Sequence, residues 1–351
     1  MTTPTRLRPA LRALVDGRDL TEDEAAEVMS ALVAGEFTGS QFGALGTALR
    51  MKGERAEEIA GFLRVLRAEG TTVDLGELAD RAVDTCGTGG DGPSARVFNI
   101  STTAAFLVAA AGVPVAKHGT SAVSSNSGSS DVLAELGVRA VSDPADVAAC
   151  LRELGICFMH APAFNSGMRH LIGLRQEVGL RFVFNLLGPL CNPARVTRQV
   201  TGMYDSRYAE VTAGALARSG TRHAWVVHAE DGLDEVSTTA PTRILQVRDG
   251  AVTELRVDAV DLGLARATID QVEGGDPRRN AEISRAVLAG TATTAQTEIV
   301  LLNAAAVLVV AGRAADLSDG LKVAESVLRD GSAQDVLHRW ADRSRRTGAA
   351  A

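Results

Sequence analysis

The chain has 351 residues, 46% of them hydrophobic, enough for a large buried core in one domain or two. Its formal net charge of −7 argues against a nucleic-acid binder, whose affinity comes from a basic surface laid against phosphates. The N-terminal stretch has no long apolar run, so no secretory leader is expected, and the apolar runs 104-AAFLVAAAGV-113 and 304-AAAVLVVAG-312 read as too short to span a bilayer, so no membrane role is expected.

Helices open the chain. Thr21 and Glu24 form a capping box ahead of 25-AAEVMSALVAG-35, Thr38 or Ser40 starts 41-QFGALGTALRMKG-53, and Arg55 opens 56-AEEIAGFLRVLRAEG-70. Each run ends at a glycine, the usual helix stop. A small helical N-terminal domain over residues 1–75 is therefore expected.

The pattern changes near residue 82. AVDTC (82–86) and VPVAKHG (113–119) read as strands, with a helix over 101-STTAAFLVAAAG-112 between them. Helices over 129-SSDVLAELG-137 and 144-PADVAACLRELG-155 lead to a third strand, ICFMHAP (156–162). AWVVHA (224–229) is another, and ILQVRDGAVTELRV (244–257) forms a hairpin turning at Asp249-Gly250. This alternation predicts an α/β domain over 76–351, with a mostly parallel central sheet flanked by helices. The basic run 338-HRWADRSRR-346 reads as a solvated helix end and a frayed tail. Cys86, Cys150, Cys157 and Cys191 lack paired metal spacing and are expected to be reduced, as in a cytoplasmic protein.

Three segments carry chemistry. In 83-VDTCGTGGDG-92, four glycines within six residues follow a strand, so backbone N–H groups can turn toward an anion near the helix beginning at Ser101. Gly87, Gly89 and Gly92 also fit a dinucleotide fingerprint, but no acidic residue falls between Asp91 and Asp131 to take the ribose. No P-loop pattern is present. In 231-DGLDE-235, Asp234 and Glu235 set two hard oxygen ligands side by side at a strand end, which suits Mg²⁺; a solvated acidic turn is the plain alternative. In 117-KHG-119 and 124-SSNSGSSD-131, a lysine and several small hydroxyl donors suit a pyrophosphate.

Together these segments resemble the anthranilate phosphoribosyltransferase family. The resemblance rests on 87-GTGGDG-92, 99-NIST-102, 117-KHG-119, 124-SS with 128-GSSD-131, 184-FNLLGPLCNPA-194, 231-DGLDE-235, and 274-GGDPRRNA-281 with 300-VLLNAAA-306, collinear over roughly residues 8–335. It implies transfer of ribose 5-phosphate from 5-phosphoribosyl-1-pyrophosphate (PRPP) to the amino group of anthranilate, with release of pyrophosphate, in tryptophan biosynthesis. It further implies that Gly87, Gly90, Asp91, Asn99, Ser101 and Thr102 hold the PRPP phosphates and ribose, and that Lys117, Ser125 and Ser129 hold its pyrophosphate side. Ser101, Asp234 and Glu235 would bind two Mg²⁺ ions. Arg175 would face the acceptor's carboxylate, with Gly87, His118, Thr120, Pro162 and Met168 completing the acceptor side. A homodimer formed through the helical domain is implied too, with a segment near 165–182 folding back onto that domain. An aromatic amine needs no strong general base. His118 is the one candidate, and a structural histidine is the other reading of it.

The chain departs from the family pattern on the acceptor side. Thr120 and Ser121 stand where the family has Asn and Arg, Asn165-Ser166 where it has His-Pro, and His160 where it has an apolar residue. The loop 92-GPSARVF-98 is about two residues longer than usual, with Val97 in place of a customary Thr. The same PRPP chemistry on another small aromatic or amine acceptor, in a paralogous pathway, is the alternative. A nucleoside phosphorylase would need a further C-terminal domain, and a DNA-binding paralogue would lose the acidic pair; neither pattern fits this chain.

Overall fold

The computed structural model describes residues 6–89, 96–122, 126–165, 167 and 169–348. Four helices come first, α1 (Arg8–Val15), α2 (Glu22–Val33), α3 (Gly39–Lys52) and α4 (Ala56–Glu69). Thr21 caps α2 and Thr38 caps α3, each through a reciprocal box, with Glu24 and Gln41 respectively. Glu58 is fully buried between them, accepting from the Leu20 and Arg55 amides at 2.9 Å and pairing with Lys52 at 3.1 Å. A buried carboxylate is tolerated there because its oxygens are satisfied from several directions.

A seven-stranded sheet follows, built from β1 (Val83–Gly87), β2 (Val115–Gly119), β3 (Ile156–His160), β4 (Arg198–Gly202), β5 (His223–Ala229), β6 (Thr242–Arg248) and β7 (Ala251–Val257). The order is β3-β2-β1-β4-β5-β6-β7, parallel from β3 through β5 and antiparallel for β6 and β7. The last hairpin turns on Asp249 (φ 48°) and Gly250 (φ 83°), the double positive-φ turn whose twist matches a hairpin. The crossovers run through α5 (Ile100–Ala110), α6 (Ser129–Glu135), α7 (Pro144–Leu154), α8 (Ala161–Phe164), α9 (Arg169–Val178), α10 (Leu187–Leu190) and α11 (Ala209–Arg218). The chain closes with α12 (Pro277–Leu288), α13 (Thr294–Ala311), α14 (Leu317–Arg329) and α15 (Ser332–Gly348).

Alternation along β5 feeds two cores. Trp225 and Val227 join the core that holds residues of α5, α13 and α15, whereas Ala224 and Val226 join the core of α1–α4. Leu171, Phe182 and Phe184 enter that second core, with the Phe42 and Phe184 rings stacked at 5.0 Å. The segment after β3 thus returns to the helical unit before the chain re-enters the sheet.

Two expectations need correction. The basic C-terminal run is docked: Trp340 is buried against Phe106 (5.8 Å between rings), and buried Arg343 pairs with Asp146 at 2.5 Å and Glu153 at 2.9 Å. The Arg343 charge is neutralised by carboxylates of α7, so a basic stretch that reads as polar in sequence packs in space. The apolar run at 304–312 belongs to the 18-residue α13, long and apolar enough to cross a membrane; here it is a core helix, buried along most of its length.

Candidate active site

The parallel strands reverse direction of progression between β1 and β4, and ligands bind in the crevice that such a switch leaves at the carboxyl ends of the strands. Gly87 ends β1 and sits opposite Gly202, the end of β4. The turn after β5 delivers Asp234 into this crevice. A Cβ on Gly87 would collide with Asp234 Oδ2, and one on Gly202 with the Asp234 carbonyl, so both positions need a residue without a side chain. Asp234 Oδ2 also accepts from the Gly89 amide at 3.0 Å.

Glu235 lies beside it. Its Oε1 accepts from the Ser101 amide at 3.1 Å, in the first turn of α5, where the helix dipole favours an anion. Burial, with Asp234 adding to it, pushes the Glu235 carboxyl up to about 8, and Lys117 opposes the shift. A buried carboxyl shifted in this way beside a second carboxylate is electrostatically incomplete. Hard oxygen donors at a strand end, with the Ser101 hydroxyl near them, fit a divalent cation such as Mg²⁺, which would restore the ionised form.

Around this pair the fold gathers most of the other expected residues. Lys117 is buried in β2 and donates to the Thr85 carbonyl on the neighbouring strand. Asn99 precedes α5, its Oδ1 accepting from Ser127 Oγ at 3.1 Å and from Asn280 Nδ2 at 2.9 Å. Thr102 is buried in the first turn of α5. Ser129 opens α6 against Gly119, where a Cβ would strike its Oγ. Gly90, Asp91, Ser125 and Met168 lie outside the described residues.

His118 is not presented to the crevice. Its ring is buried, with Nδ1 2.5 Å from Asp84 Oδ2 and Nε2 2.7 Å from the Gly188 carbonyl. Burial alone would lower its pKa, but Asp84 overrides this and raises it, and both ring nitrogens face oxygen acceptors. Burial would equally raise Asp84, yet His118 holds its carboxyl below the usual range, helped by Asn192 Nδ2 at 2.7 Å. With both nitrogens engaged, the geometry supports the structural reading of His118 over that of general base. Asp84, Cys86 and His118 also bring potential ligand atoms within 4.8 Å of one another, but the first and last already pair with each other.

Arg175 lies on α9, partly buried, its side chain without a hydrogen-bond or ion-pair partner among the described residues. Burial and the nearby Arg181 both push its pKa down. A desolvated, unpaired guanidinium is a place for a carboxylate. The hydroxyls of Thr120 and Ser121 are engaged locally, with the Ser121 carbonyl at 2.5 Å and with Ser130 Oγ at 3.1 Å. Pro162 is exposed at the start of α8, and Asn165 is turned toward Gly70 in the link from the helical unit. Beyond the expected set, the structure adds Asp84, Asn192, Asn280, Arg181 and Gly202. Asn192 and Asn280 lie inside segments singled out in sequence, and Asp84 stands out as a charge in an apolar strand. Nothing in the local sequence distinguishes Arg181.

A helical bundle beside an α/β sheet, with an acidic pair at glycine strand ends, defines a two-domain glycosyl transferase. Residues 8–70 match the family described as glycosyl transferase family, helical bundle domain, and 79–334 match the glycosyl transferase family, a/b domain. The chain is 47% identical over 333 residues to an anthranilate phosphoribosyltransferase of Desulforudis audaxviator, covering 95% of each. It is 49% identical over 332 residues to that of Thermomicrobium roseum, covering 94% of each. The crystal structure of anthranilate phosphoribosyltransferase from Thermus thermophilus is similar with a TM-score of 0.88 and 38% identity, over 96% of this chain and 99% of that one. The Saccharomyces cerevisiae enzyme in complex with PRPP and Mg is similar with a TM-score of 0.86 and 25% identity, over 97% and 98%. The chain belongs to the anthranilate phosphoribosyltransferase family.

Proposed function

We propose that the protein transfers ribose 5-phosphate from PRPP to the amino group of anthranilate, releasing pyrophosphate. The carrying observation is the pair Asp234 and Glu235, held on the Gly89 and Ser101 amides at the switch point of the sheet. The full-length similarity to anthranilate phosphoribosyltransferases supports the choice of substrates. The four free cysteines fit a reducing, cytoplasmic setting, and tryptophan biosynthesis is the corresponding pathway.

In this reading the phosphates of PRPP lie along Gly87, Asn99, Ser101, Thr102, Lys117 and Ser129. Gly90, Asp91 and Ser125 are assigned to the same half by resemblance. Ser101, Asp234 and Glu235 would hold Mg²⁺, which would neutralise the negative charge that develops on the pyrophosphate. The anthranilate nitrogen attacks C1 of the ribose, the C1–O bond to pyrophosphate breaks, and the amine then loses a proton. Arg175 orients the acceptor through its carboxylate, with Gly87, Thr120, Pro162 and Met168 on the acceptor side. Approach and orientation carry much of the rate, because the nucleophile needs no strong base.

We further propose a division at residue 75, with the segment near 165–182 grouped with the helical unit, and a homodimer formed through that unit. Val15 (74% exposed), Met51 (83%) and Leu180 (53%) present apolar surface there.

A second reading keeps the donor and changes the acceptor. It is favoured by Thr120 and Ser121, whose hydroxyls are occupied within their own loop. Pyrophosphate release with PRPP and Mg²⁺, measured against a panel of aminobenzoates and other aromatic amines, separates the two. The proposal expects anthranilate to give the highest kcat/KM. A different amine at least tenfold better would establish the second reading, and no release with any acceptor would overturn both.

A further inference from the structure

Arg181 lies just beyond α9, on the same segment as Arg175, yet its side chain points to the donor loop. Its Nη1 donates to the Gly89 carbonyl at 2.9 Å, and its guanidinium stacks over the Tyr204 ring, 4.7 Å from the centroid. Gly89 sits at φ 60°, a conformation that other residues adopt only with strain. Its amide is taken by Asp234 Oδ2 and its carbonyl by Arg181, so this one residue is clamped from both sides.

The clamp is anchored at each end. The Arg181 carbonyl accepts from Arg50 on α3. The Tyr204 amide donates to Thr88 Oγ1 at 3.0 Å, and Thr88 donates through its amide to the Gly202 carbonyl at 2.9 Å. A continuous set of contacts therefore runs from the helical unit, through Arg181, to the Gly89 peptide and the acidic pair.

We propose that Arg181 is a positioning residue for the donor: it fixes the Gly89 peptide, and through it Asp234, in the arrangement that receives PRPP and its cation. It neither touches the reacting atoms nor holds the acceptor. This inference rests on PRPP being the donor, as proposed above. A planar guanidinium suits the role because it can stack on an aromatic face while donating in its own plane, which an ammonium cannot do.

Calorimetric titration of PRPP with Mg²⁺ into the wild type, Arg181→Met and Arg181→Lys, with steady-state KM values for both substrates, tests the assignment. Arg181→Met is expected to weaken PRPP binding by about tenfold, the loss of one charge-assisted hydrogen bond and one cation–π contact. The anthranilate KM should stay within about twofold, and Arg181→Lys should be intermediate. Tyr204→Leu, which removes the ring and leaves the Gly89 bond, gives an independent reading if Arg181→Met does not fold; a severalfold loss of PRPP affinity is expected. Each variant should remain folded without ligand, with an unaltered circular dichroism spectrum and only a modest drop in thermal midpoint, which separates positioning from loss of the fold. PRPP affinities within twofold of wild type, or a loss that falls on anthranilate instead, overturn the inference. Failure of the wild type to bind PRPP with Mg²⁺ overturns the proposed function itself.

Discussion

Asp84 places a carboxylate inside the sheet, where His118 and Asn192 donate to it. Removing one partner of a buried pair leaves the other without compensation, so Asp84→Asn is expected to cost about 3 kcal/mol of stability. The cost depends on pH in a defined direction. His118 titrates above its ordinary 6.5, so its contribution is complete below 6.5 and is lost as pH rises through the raised value. Asp84 titrates below its ordinary 3.8, so its contribution is complete above 3.8 and is lost as pH falls through the depressed value. Urea unfolding should therefore show a larger gap between wild type and Asp84→Asn at about pH 5.5 than at about pH 9. A gap that widens toward alkaline pH would contradict the ionic pair. On the acceptor side, Arg175→Gln should raise the anthranilate KM by at least about tenfold while leaving PRPP binding within about twofold, as steady-state kinetics would show. At this scale the sequence disclosed residue types better than directions. Asp234 and Glu235 stood out as candidate ligands by their adjacency, whereas His118 could be read as a general base or as structural. Only the register that places β2 beside β1 brings its ring onto Asp84.

Close approach between elements explains several glycines. Gly61 sits in the middle of α4, where alanine would ordinarily gain about 1 kcal/mol of helix stability. A Cβ there would overlap the Glu22 carbonyl and come within 2.8 Å of the Ala25 Cβ, at the crossing of α2 and α4. Overpacking of this kind costs about 1–3 kcal/mol, so Gly61→Ala is expected to destabilise the helical unit, with a lower midpoint in thermal unfolding. Trp340→Ala should cost about 3–5 kcal/mol in denaturant, because it empties the contact with Phe106 that docks α15. A frayed tail would tolerate that change. Elements with strong signals were legible: capped helices α2 and α3, the apolar strand β5, and the Asp249-Gly250 hairpin. β4 was not, since RQVTG is short and half polar, and its place beside β1 comes from pairing that no local pattern announces. The docking of α15 was hidden for a similar reason. A buried arginine reads as a solvated one until its carboxylate partners on α7 are brought near.

The whole molecule places the acidic pair at the sheet's switch point and packs the segment that carries Arg175 onto the helical unit; under the proposed function the two substrates would meet between units. That arrangement followed from collinear motifs more than from composition, and the folding-back of Phe182 and Phe184 depends on packing alone. Association belongs to this scale as well. If the helical unit forms the homodimer, Met51→Glu should shift sedimentation from dimer toward monomer, and an unchanged mass would remove Met51 from the interface. The most direct measurement is steady-state pyrophosphate release from PRPP in the presence of anthranilate and Mg²⁺, for the wild type and for Asp234→Asn with Glu235→Gln, each checked for an unaltered circular dichroism spectrum. The account predicts turnover that requires all three components in the wild type, and a loss of at least about a thousandfold in the folded double variant. Turnover by that variant within tenfold of wild type would contradict it.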